Sequence, residues 1–448
     1  MKNNLLTGKP IKSIIMFALP IMVSSMLQYN YNLVDNIIVG RYVGTDALAA
    51  VGSVGSINSF IIGTAVGLTS GFTIAVAQSF GAGDEKRMNK YAGASISLSL
   101  IIGVVIVIIA HFLSVPLLKL LKTPDNIIGM AADYLDVLYY AVPVQMLLNN
   151  FNALSRSVGE SKKPLYFLIV SVIINLGLDL LFVGKFGWGV TGAAWATNIS
   201  QAAAMLLAGI DVLRVNKVFN ITAGDFKVDA ETAWSQLKMG IPISLQFTIT
   251  SVGSMTLQTA VNGFGSNVIA GFTAAGRVEQ LTNIPMSGLG VGTMTFVSQN
   301  YGAGKYDRII KSVRKITILD LAVSVVCSIV LFAAGPYVVK LFMTEYNNEI
   351  MFAAKHYLAA IAQCYSLVAV LFVFRSTLQG MGFTYANAIA GGGEFFGRIA
   401  VALLLTPLFG FNAVCYAGPA AWLLADIPLV VIYLSKRRKF KRLTSMKV

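Results

Sequence analysis

Twelve stretches of about 20 or more mostly apolar residues occur along the chain, and each is long enough to cross the apolar interior of a bilayer as a helix. A bilayer interior provides no partners for exposed peptide groups, so a spanning segment must satisfy its own backbone hydrogen bonds. The sequence therefore predicts an all-α integral membrane protein with twelve transmembrane helices. The predicted spans are residues 13–39, 47–78, 92–114, 131–155, 164–184, 190–213, 237–262, 268–299, 312–334, 351–378, 384–407 and 412–434.

Composition and charge support this class and indicate an orientation. Hydrophobic residues make up 56% of the 448 and charged residues 12%, about half of what is usual in soluble domains. The chain has 34 Lys and Arg against 20 Asp and Glu, but 26 of the basic residues lie at or beside segments on one predicted side of the membrane. Such a distribution is typical of cytoplasmic loops rather than of a nucleic-acid surface. We predict a protein of the plasma (inner) membrane with both termini in the cytoplasm and no nucleic-acid partner.

An internal repeat divides the spans into two sets. Residues 67–90 recur as residues 288–311, a shift of 221, with ten of the 24 positions identical. The shared residues include the motif Gln-x-x-Gly-Ala-Gly, which begins at Gln78 and again at Gln299. Identity at this level over two long segments indicates a duplication.

Each copy of the repeat contains six predicted spans. An even number means that both copies enter the membrane from the same side, so they are related by an axis along the membrane normal. The sequence predicts two pseudo-symmetric six-helix bundles, residues 1–213 and 237–448, with a central cleft. Residues 214–236 are predicted to form a cytoplasmic linker, which we interpret as a solvated tether.

Ionisable side chains within the first bundle suggest where a coupling ion acts. A charge near the middle of a bilayer costs about 3 kcal/mol or more, and it usually marks an ion or substrate path. Asp35 lies in the first span and Asp179 in the fifth, and Asn175 precedes Asp179 by one helical turn on the same face. Thr197 adds a hydroxyl group in the sixth span. Carboxylates in such surroundings can exchange a proton, although a polar cluster that only joins helices is the alternative.

The predicted second bundle has no carboxylates at the matching positions but contains other polar or adaptable side chains. Glu394 and Arg398 are four residues apart on one helix, so an ion pair between them is the favoured structural interpretation. Asp320 and Asp426 receive no functional assignment. The candidates for lining a substrate cleft are Gln258, Asn262, Glu279, Met286, Glu394 and Arg398.

Several motifs of the chain resemble those of one transporter family. They are LVDNIIVGRYVGTDALAAVG, the two Gln-x-x-Gly-Ala-Gly turns, RSVGESKKP, and the stretch from NLGLDLLFVG to GVTGAAWAT. In order and spacing they are similar to the multidrug and toxic compound extrusion (MATE) family over nearly the whole chain. The resemblance implies two six-helix lobes around a V-shaped cleft and the export of organic cations or other amphipathic compounds in exchange for H+ or Na+. It implies a monomer without a cofactor, whose partners are small-molecule substrates and the bilayer.

The resemblance also implies roles for individual residues. In bacterial branches of the family that couple through the first lobe, protonation involves an Asp of helix 1, an Asn and an Asp of helix 5 and a Thr of helix 6. These match Asp35, Asn175, Asp179 and Thr197. Other branches place a Glu in helix 7 and an Asp in helix 10, which this sequence lacks, so coupling through the first lobe is favoured.

Two other functions are alternatives to export, and each would require particular side chains. A sister group in the same superfamily flips lipid-linked oligosaccharides, whose diphosphates would require a cleft rich in Arg and Lys. An intramembrane enzyme would need a nucleophile with its base, or metal ligands. The only histidines, His111 and His356, fall in different bundles, and the three cysteines are far apart, so no metal site is predicted and an enzyme is disfavoured.

The orientation can be tested directly. Tags placed at Lys2 and after Met446 should be labelled only from the cytoplasmic side, because most basic residues flank that side. The measurement is labelling by a membrane-impermeant reagent in intact and permeabilised cells. Labelling of either terminus in intact cells would contradict the twelve-span arrangement.

Overall fold

The computed structural model of the chain describes residues 4–120, 123, 125–341 and 347–445. Every regular element within these residues is a helix, which confirms the predicted all-α fold class. Twelve long helical segments follow one another, and each overlaps one predicted span. We number these segments α1 to α12 and leave the short helices between them without labels.

The first six segments cover the first copy of the repeat. They are α1 Pro10–Tyr42, α2 Thr45–Ala82, α3 Glu85–Leu120, α4 (Asp125–Tyr140 with Val142–Ser157), α5 Lys162–Asp179 and α6 Gly189–Ile210. The second six are α7 Ala230–Asn262, α8 Ser266–Gly302, α9 Tyr306–Ala333, α10 Asn348–Gly380, α11 Tyr385–Ala400 and α12 Ala417–Ser445. Three of the twelve segments continue directly into π-helices. These are Leu180–Lys185 after α5, Asp211–Val215 after α6 and Val401–Leu405 after α11.

Most of these segments are apolar enough to cross a membrane. Nine helices in the described residues qualify by length and hydropathy, and the two parts of α4, bent by 47°, would together make a tenth. The remaining two segments, α7 and α8, are 33 and 37 residues long but more polar. They correspond to the seventh and eighth predicted spans, where the sequence analysis placed most of the cleft candidates.

The chain forms two compact units whose boundaries fall inside helices. The N-terminal unit is Val23–Ser244, and the C-terminal unit contains the described residues up to Met22 together with Leu245 and the residues after it. The first turns of α1 thus belong to the C-terminal unit, and the first half of α7 belongs to the N-terminal unit. The predicted bundles, residues 1–213 and 237–448, divide the chain between helices instead and remain a prediction.

The segment before α7 is not the solvated tether that we expected. The Ser97 hydroxyl on α3 donates a 2.8 Å hydrogen bond to the carbonyl of Phe226, and the Asn89 side chain accepts one of 3.1 Å from the amide of Asn220. Phe219 is 6% exposed and packs in a core cluster of this unit. The tether interpretation is therefore wrong for residues 216–229, because apolar side chains among the charged ones attach this segment to α3.

An ion pair fixes the end of the same segment. The Lys90 ammonium group lies 2.7 Å from the carboxylate of Asp229, and this hydrogen bond lowers the pKa of Asp229 to about 2. A depressed pKa means that the pair contributes to stability above the ordinary pKa of an aspartate and is lost only as the pH falls through about 2. Both side chains are about half exposed, so the contribution at neutral pH is small.

The duplication is visible in the backbone conformation. Eight of the nine glycines with positive φ form four pairs between the copies, three of them 221 residues apart and one 223 apart. The π-helices after α5 and α11 begin at residues 180 and 401, which are likewise 221 apart. A positive φ is accessible to glycine at little cost, so these turns require glycine in both copies. The pairs are Gly44 with Gly265, Gly83 with Gly304, Gly159 with Gly382, and Gly189 with Gly410.

Glycines of the repeated motif on α2 and α8 lie close against neighbouring helices. A Cβ atom at Gly71 would lie 2.3 Å from the Cα of Gly240, and one at Gly67 would lie 2.6 Å from the Cα of Ser244. At this contact α2 and α7 each present two small residues that are four positions apart, which is a common way for membrane helices to approach closely. In the C-terminal unit the matching glycine of α8, Gly288, lies against a side chain instead, since a Cβ atom there would be 2.5 Å from the Cγ of Met22 on α1.

This contact can be tested with one methyl group. We expect Gly71→Ala to lower the stability of the protein by about 1–3 kcal/mol, because backbone on the facing helix leaves no room for it. The matched control on the same helix is Gly52→Ala, where a Cβ atom meets nothing within 4 Å. Thermal unfolding in detergent should show a lower Tm only for Gly71→Ala, and equal Tm values for the two variants would contradict the contact.

Candidate functional site

The structure brings together the four residues predicted for ion coupling, all within the N-terminal unit. Asp35 lies on α1, Asn175 and Asp179 on the last turns of α5, and Thr197 on α6. The amide nitrogen of Asn175 donates a 3.4 Å hydrogen bond to the hydroxyl of Thr197. Asn175 and Asp179 are 2% and 1% exposed, so the group lies inside the unit rather than at its surface.

The two carboxyl groups lie within hydrogen-bonding range of each other. When both are ionised, neither has a proton to donate, and both oxygens of Asp179 and one of Asp35 then lack a donor among the described residues. One proton held between the two groups would supply the missing hydrogen bond and remove a buried negative charge. The arrangement is thus suited to binding a proton or a small cation.

Two tyrosines that were not among the predicted coupling residues complete this cluster. The hydroxyl groups of Tyr31 and Thr197 lie 3.2 Å apart and form a hydrogen bond. Tyr134 on α4 is 7% exposed and lies within range of the charges of Asp35 and Asp179. Tyr31 could have been found, since it precedes Asp35 by one helical turn on the same face. Tyr134 is distant in sequence, and only the packing of α4 brings it there.

Asp179 also occupies a special position in the backbone. It is the last residue of α5, and the chain continues without a break into the π-helix Leu180–Lys185. Short π-helical segments change the direction of the side chains that follow and occur often at functional sites. Nothing in the sequence indicated this change of helix type.

A second polar site lies within the C-terminal unit, in a cavity of about 390 Å³ lined by α7, α8, α10, α11 and α12. Four of the predicted cleft residues line it: Gln258, Glu279, Glu394 and Arg398. The other two do not. Asn262 accepts a 3.0 Å hydrogen bond from Gln258 at the exposed end of α7, and Met286 is fully buried in the hydrophobic core. The position of Met286 does not favour its predicted place in the cleft, because packed side chains surround it.

The charges in this cavity form a connected group. Arg398 donates a 3.4 Å hydrogen bond to Glu394, as the spacing of four residues predicted. The closer partner of Glu394 is Arg375 on α10, near the end of the tenth predicted span. On α8, Glu279 accepts a 2.7 Å hydrogen bond from the hydroxyl of Tyr357. Each of these acids therefore has a donor within the unit.

Two further acids in the C-terminal unit have a different environment. Asp320 on α9 is fully buried, and Asp426 on α12 is 5% exposed. Neither carboxyl group has a hydrogen-bond partner among the residues that the structure describes. Neither acid received a functional assignment from the sequence, because these acids lie nearer span ends or have less polar company. Across the described ranges, no three His, Cys, Asp or Glu side chains are arranged to hold a metal ion.

The buried ion pairs of the cavity give a stability prediction. We expect Arg375→Met to destabilise the protein by about 3–5 kcal/mol, because it leaves Glu394 buried without its closer partner. Arg398→Met should cost less, since its bond to Glu394 is long and single. The double variant Arg375→Met, Glu394→Gln should recover part of the loss. Thermal unfolding of the three variants checks this, and equal destabilisation by both single Arg variants would contradict it.

Comparison with known proteins agrees with these features. The MatE family model matches residues 20–181 and 242–404, which together form most of the chain. The Bacillus subtilis protein named probable multidrug resistance protein YoeA is 31% identical over 379 residues, covering 83% of this chain and 81% of that protein. The multidrug export protein MepA of Staphylococcus saprophyticus is 22% identical and covers 95% of this chain and 94% of its own.

The fold also has a counterpart among solved structures. A structure described as the outward-facing conformation of a multidrug resistance MATE family transporter of the MOP superfamily superposes with a TM-score of 0.92. It covers 98% of this chain and 99% of its own at 24% identity. The family match and the shared fold confirm the resemblance predicted from the sequence motifs. The chain belongs to the MatE family of membrane transporters and is not an enzyme.

Proposed function

We propose that this protein is a secondary active efflux antiporter of the plasma (inner) membrane, with both termini in the cytoplasm. It exports organic cations or other amphipathic compounds in exchange for H+ or Na+ by alternating access, as a monomer and without a cofactor. The observation that carries the proposal is the facing pair of carboxyl groups of Asp35 and Asp179 beside Asn175 and Thr197. The relatives are named multidrug resistance and multidrug export proteins, and this supports the class of substrate.

The paired carboxyl groups provide a physical basis for coupling. Without a bound ion, two negative charges face each other in a buried site, and their repulsion favours an arrangement that separates or hydrates them. A bound proton or cation removes this repulsion and allows α1 and α5 to pack together. The bound ion therefore shifts the equilibrium between two arrangements of the helices, which is the requirement for driving transport.

The neighbouring polar groups hold the site in position. The Thr197 hydroxyl interacts with both Asn175 and Tyr31, so α1, α5 and α6 meet at one atom. Their oxygen atoms, with those of the two carboxylates, are also suitable ligands for a hard cation such as Na+. The same oxygen atoms could therefore serve coupling to H+ or to Na+.

The lipid-linked oligosaccharide flippase is less consistent with the charges. A diphosphate site requires an excess of basic groups. The polar cavity of the C-terminal unit contains Arg375 and Arg398, but Glu279 and Glu394 line the same cavity and balance them. The acidic site of the N-terminal unit adds two more carboxyl groups.

The coupling role of the acids is testable in proteoliposomes. Asp35→Asn and Asp179→Asn should each abolish efflux of a fluorescent organic cation driven by an imposed pH or sodium gradient, because an amide keeps the volume but cannot exchange a proton. Comparing the two gradients in the wild-type protein identifies the ion. The readout is the initial rate of substrate movement after the gradient is imposed.

The control is Asp133→Asn, which changes an exposed acid of α4 and should leave transport unchanged. All variants should reach wild-type levels in the membrane and retain the wild-type Tm to within a few degrees. Full ion-driven transport by the Asp35→Asn, Asp179→Asn double variant would refute coupling at this site. Loss of coupling in Glu279 or Glu394 variants alone would place the coupling site in the C-terminal unit.

A further inference from the structure

We propose that the cavity of the C-terminal unit binds an aromatic compound that carries a carboxylate, and that Arg398 recognises the carboxylate. That this compound is transported rests on the proposed export function. Its binding to the cavity does not, since binding needs no ion gradient. The cavity of about 390 Å³ falls within the range of small-molecule sites, about 300–1,000 Å³. All of its lining residues belong to one compact unit, so the site is complete within it.

The donor groups of Arg398 are only partly used. A guanidinium group has five N–H donors, and Arg398 donates one hydrogen bond within the described residues, the 3.4 Å bond to Glu394. The Arg398 nitrogens that lack a partner are not fully buried, so space lies beside them. Since Arg398 lines the cavity, its remaining N–H groups open onto the cavity space. They form a planar set of donors that matches the two oxygens of a carboxylate.

The side chain of Arg398 is also held in place. Its Cδ atom lies 3.5 Å from the position that a Cβ atom would take at Gly253, so the stem of Arg398 packs beside α7. The bond to Glu394 fixes one edge of the guanidinium group. A positioned arginine loses less conformational entropy when it binds a ligand than a free one does.

The acidic groups of the cavity are, by contrast, already occupied. Glu394 accepts hydrogen bonds from Arg375 and Arg398, and Glu279 accepts one of 2.7 Å from Tyr357 as well as one from Asn283. A cationic ligand at these acids would compete with donors that the unit itself supplies, and it would also meet the positive charges of Arg375 and Arg398. A carboxylate finds spare donors at Arg398 instead, so the hydrogen bonding of the cavity favours an anionic group over a cationic one.

The number of negative charges limits the ligand further. Glu279 and Glu394 both line the cavity and would repel a phosphate, which carries up to two negative charges near neutral pH. A carboxylate carries one charge and can share the field of Arg398 with Glu394. Trp422, Phe272 and Phe372 line other parts of the cavity and provide apolar faces for an aromatic ring. The ligand is thus an aromatic carboxylate rather than an inorganic or phosphorylated anion.

The test measures binding to the purified protein in nanodiscs without any ion gradient. The probe is 1-naphthaleneacetate, and the matched cation is 1-(aminomethyl)naphthalene, which has the same ring with an ammonium group. Equilibrium dialysis should give at least about tenfold tighter binding of the carboxylate, in keeping with a charge-assisted hydrogen-bonded contact. Arg398→Met, which keeps the apolar stem, should weaken naphthaleneacetate binding about tenfold or more and should not weaken binding of the ammonium probe.

Two further variants keep the test decisive. Arg398→Lys retains the charge without the planar donors and should show an intermediate loss, provided that its Tm matches the wild-type value. Arg314→Met changes an exposed arginine of α9 and should bind as the wild type does. Equal binding of the two probes would overturn the proposal. It would also be overturned if Arg398→Met bound naphthaleneacetate normally, or if chloride at the same concentration displaced the probe completely.

The export proposal and this inference can fail independently. Asp35→Asn should retain naphthaleneacetate binding while losing gradient-driven efflux, because the two sites lie in different units. Coupled efflux of organic cations by a protein that does not bind naphthaleneacetate would refute only the inference. Binding at Arg398 in a protein that shows no coupled transport would refute only the export function.

Discussion

The close approach of helices at the glycines of the repeated motif is the contact on which both compact units depend. Within the bilayer there is little hydrophobic gain when one apolar helix meets another, so association relies on close packing and on polar contacts. On α2, Gly67 and Gly71 allow the backbone of α7 to lie against them at Ser244 and Gly240. The same motif on α8 receives the first turns of α1. This explains why the boundaries of the units fall inside α1 and α7, since the first part of each helix packs against a copy of the repeat.

A symmetric framework thus supports two polar sites of opposite character. In the N-terminal unit, Asp35 and Asp179 face each other and have no basic partner among the described residues, and tyrosine, asparagine and threonine side chains surround them. In the C-terminal unit, Glu394 lies between two arginines. Buried charges without partners are costly, so the first arrangement calls for an ion from outside, whereas the second is already neutralised. The duplication preserved the helices and their turns, and the positions of the charges diverged.

The two π-helices after α5 and α11 show how the copies remained alike in backbone and differ in chemistry. They begin 221 residues apart, the same shift as the repeat of the glycine motif. Asp179 immediately precedes the first π-helix, and Ala400 holds the corresponding place before the second. The backbone irregularity is therefore a property of the fold, and only the first copy places a carboxyl group beside it.

The sequence by itself determined the membrane class, the helix count and the duplication. The lengths of the apolar stretches and the repeated motifs are properties of residue order, and tertiary contacts do not change them. It also identified Asp35, Asn175, Asp179 and Thr197, since an ionisable side chain in an apolar span is conspicuous without a structure. The partners of those residues depended on folding. Tyr134 and Arg375 come from helices distant in sequence, and Met286 lies in the core rather than in the cavity. Only the packing of the helices decided which side chains share a buried volume, because that depends on how each helix is rotated against its neighbours.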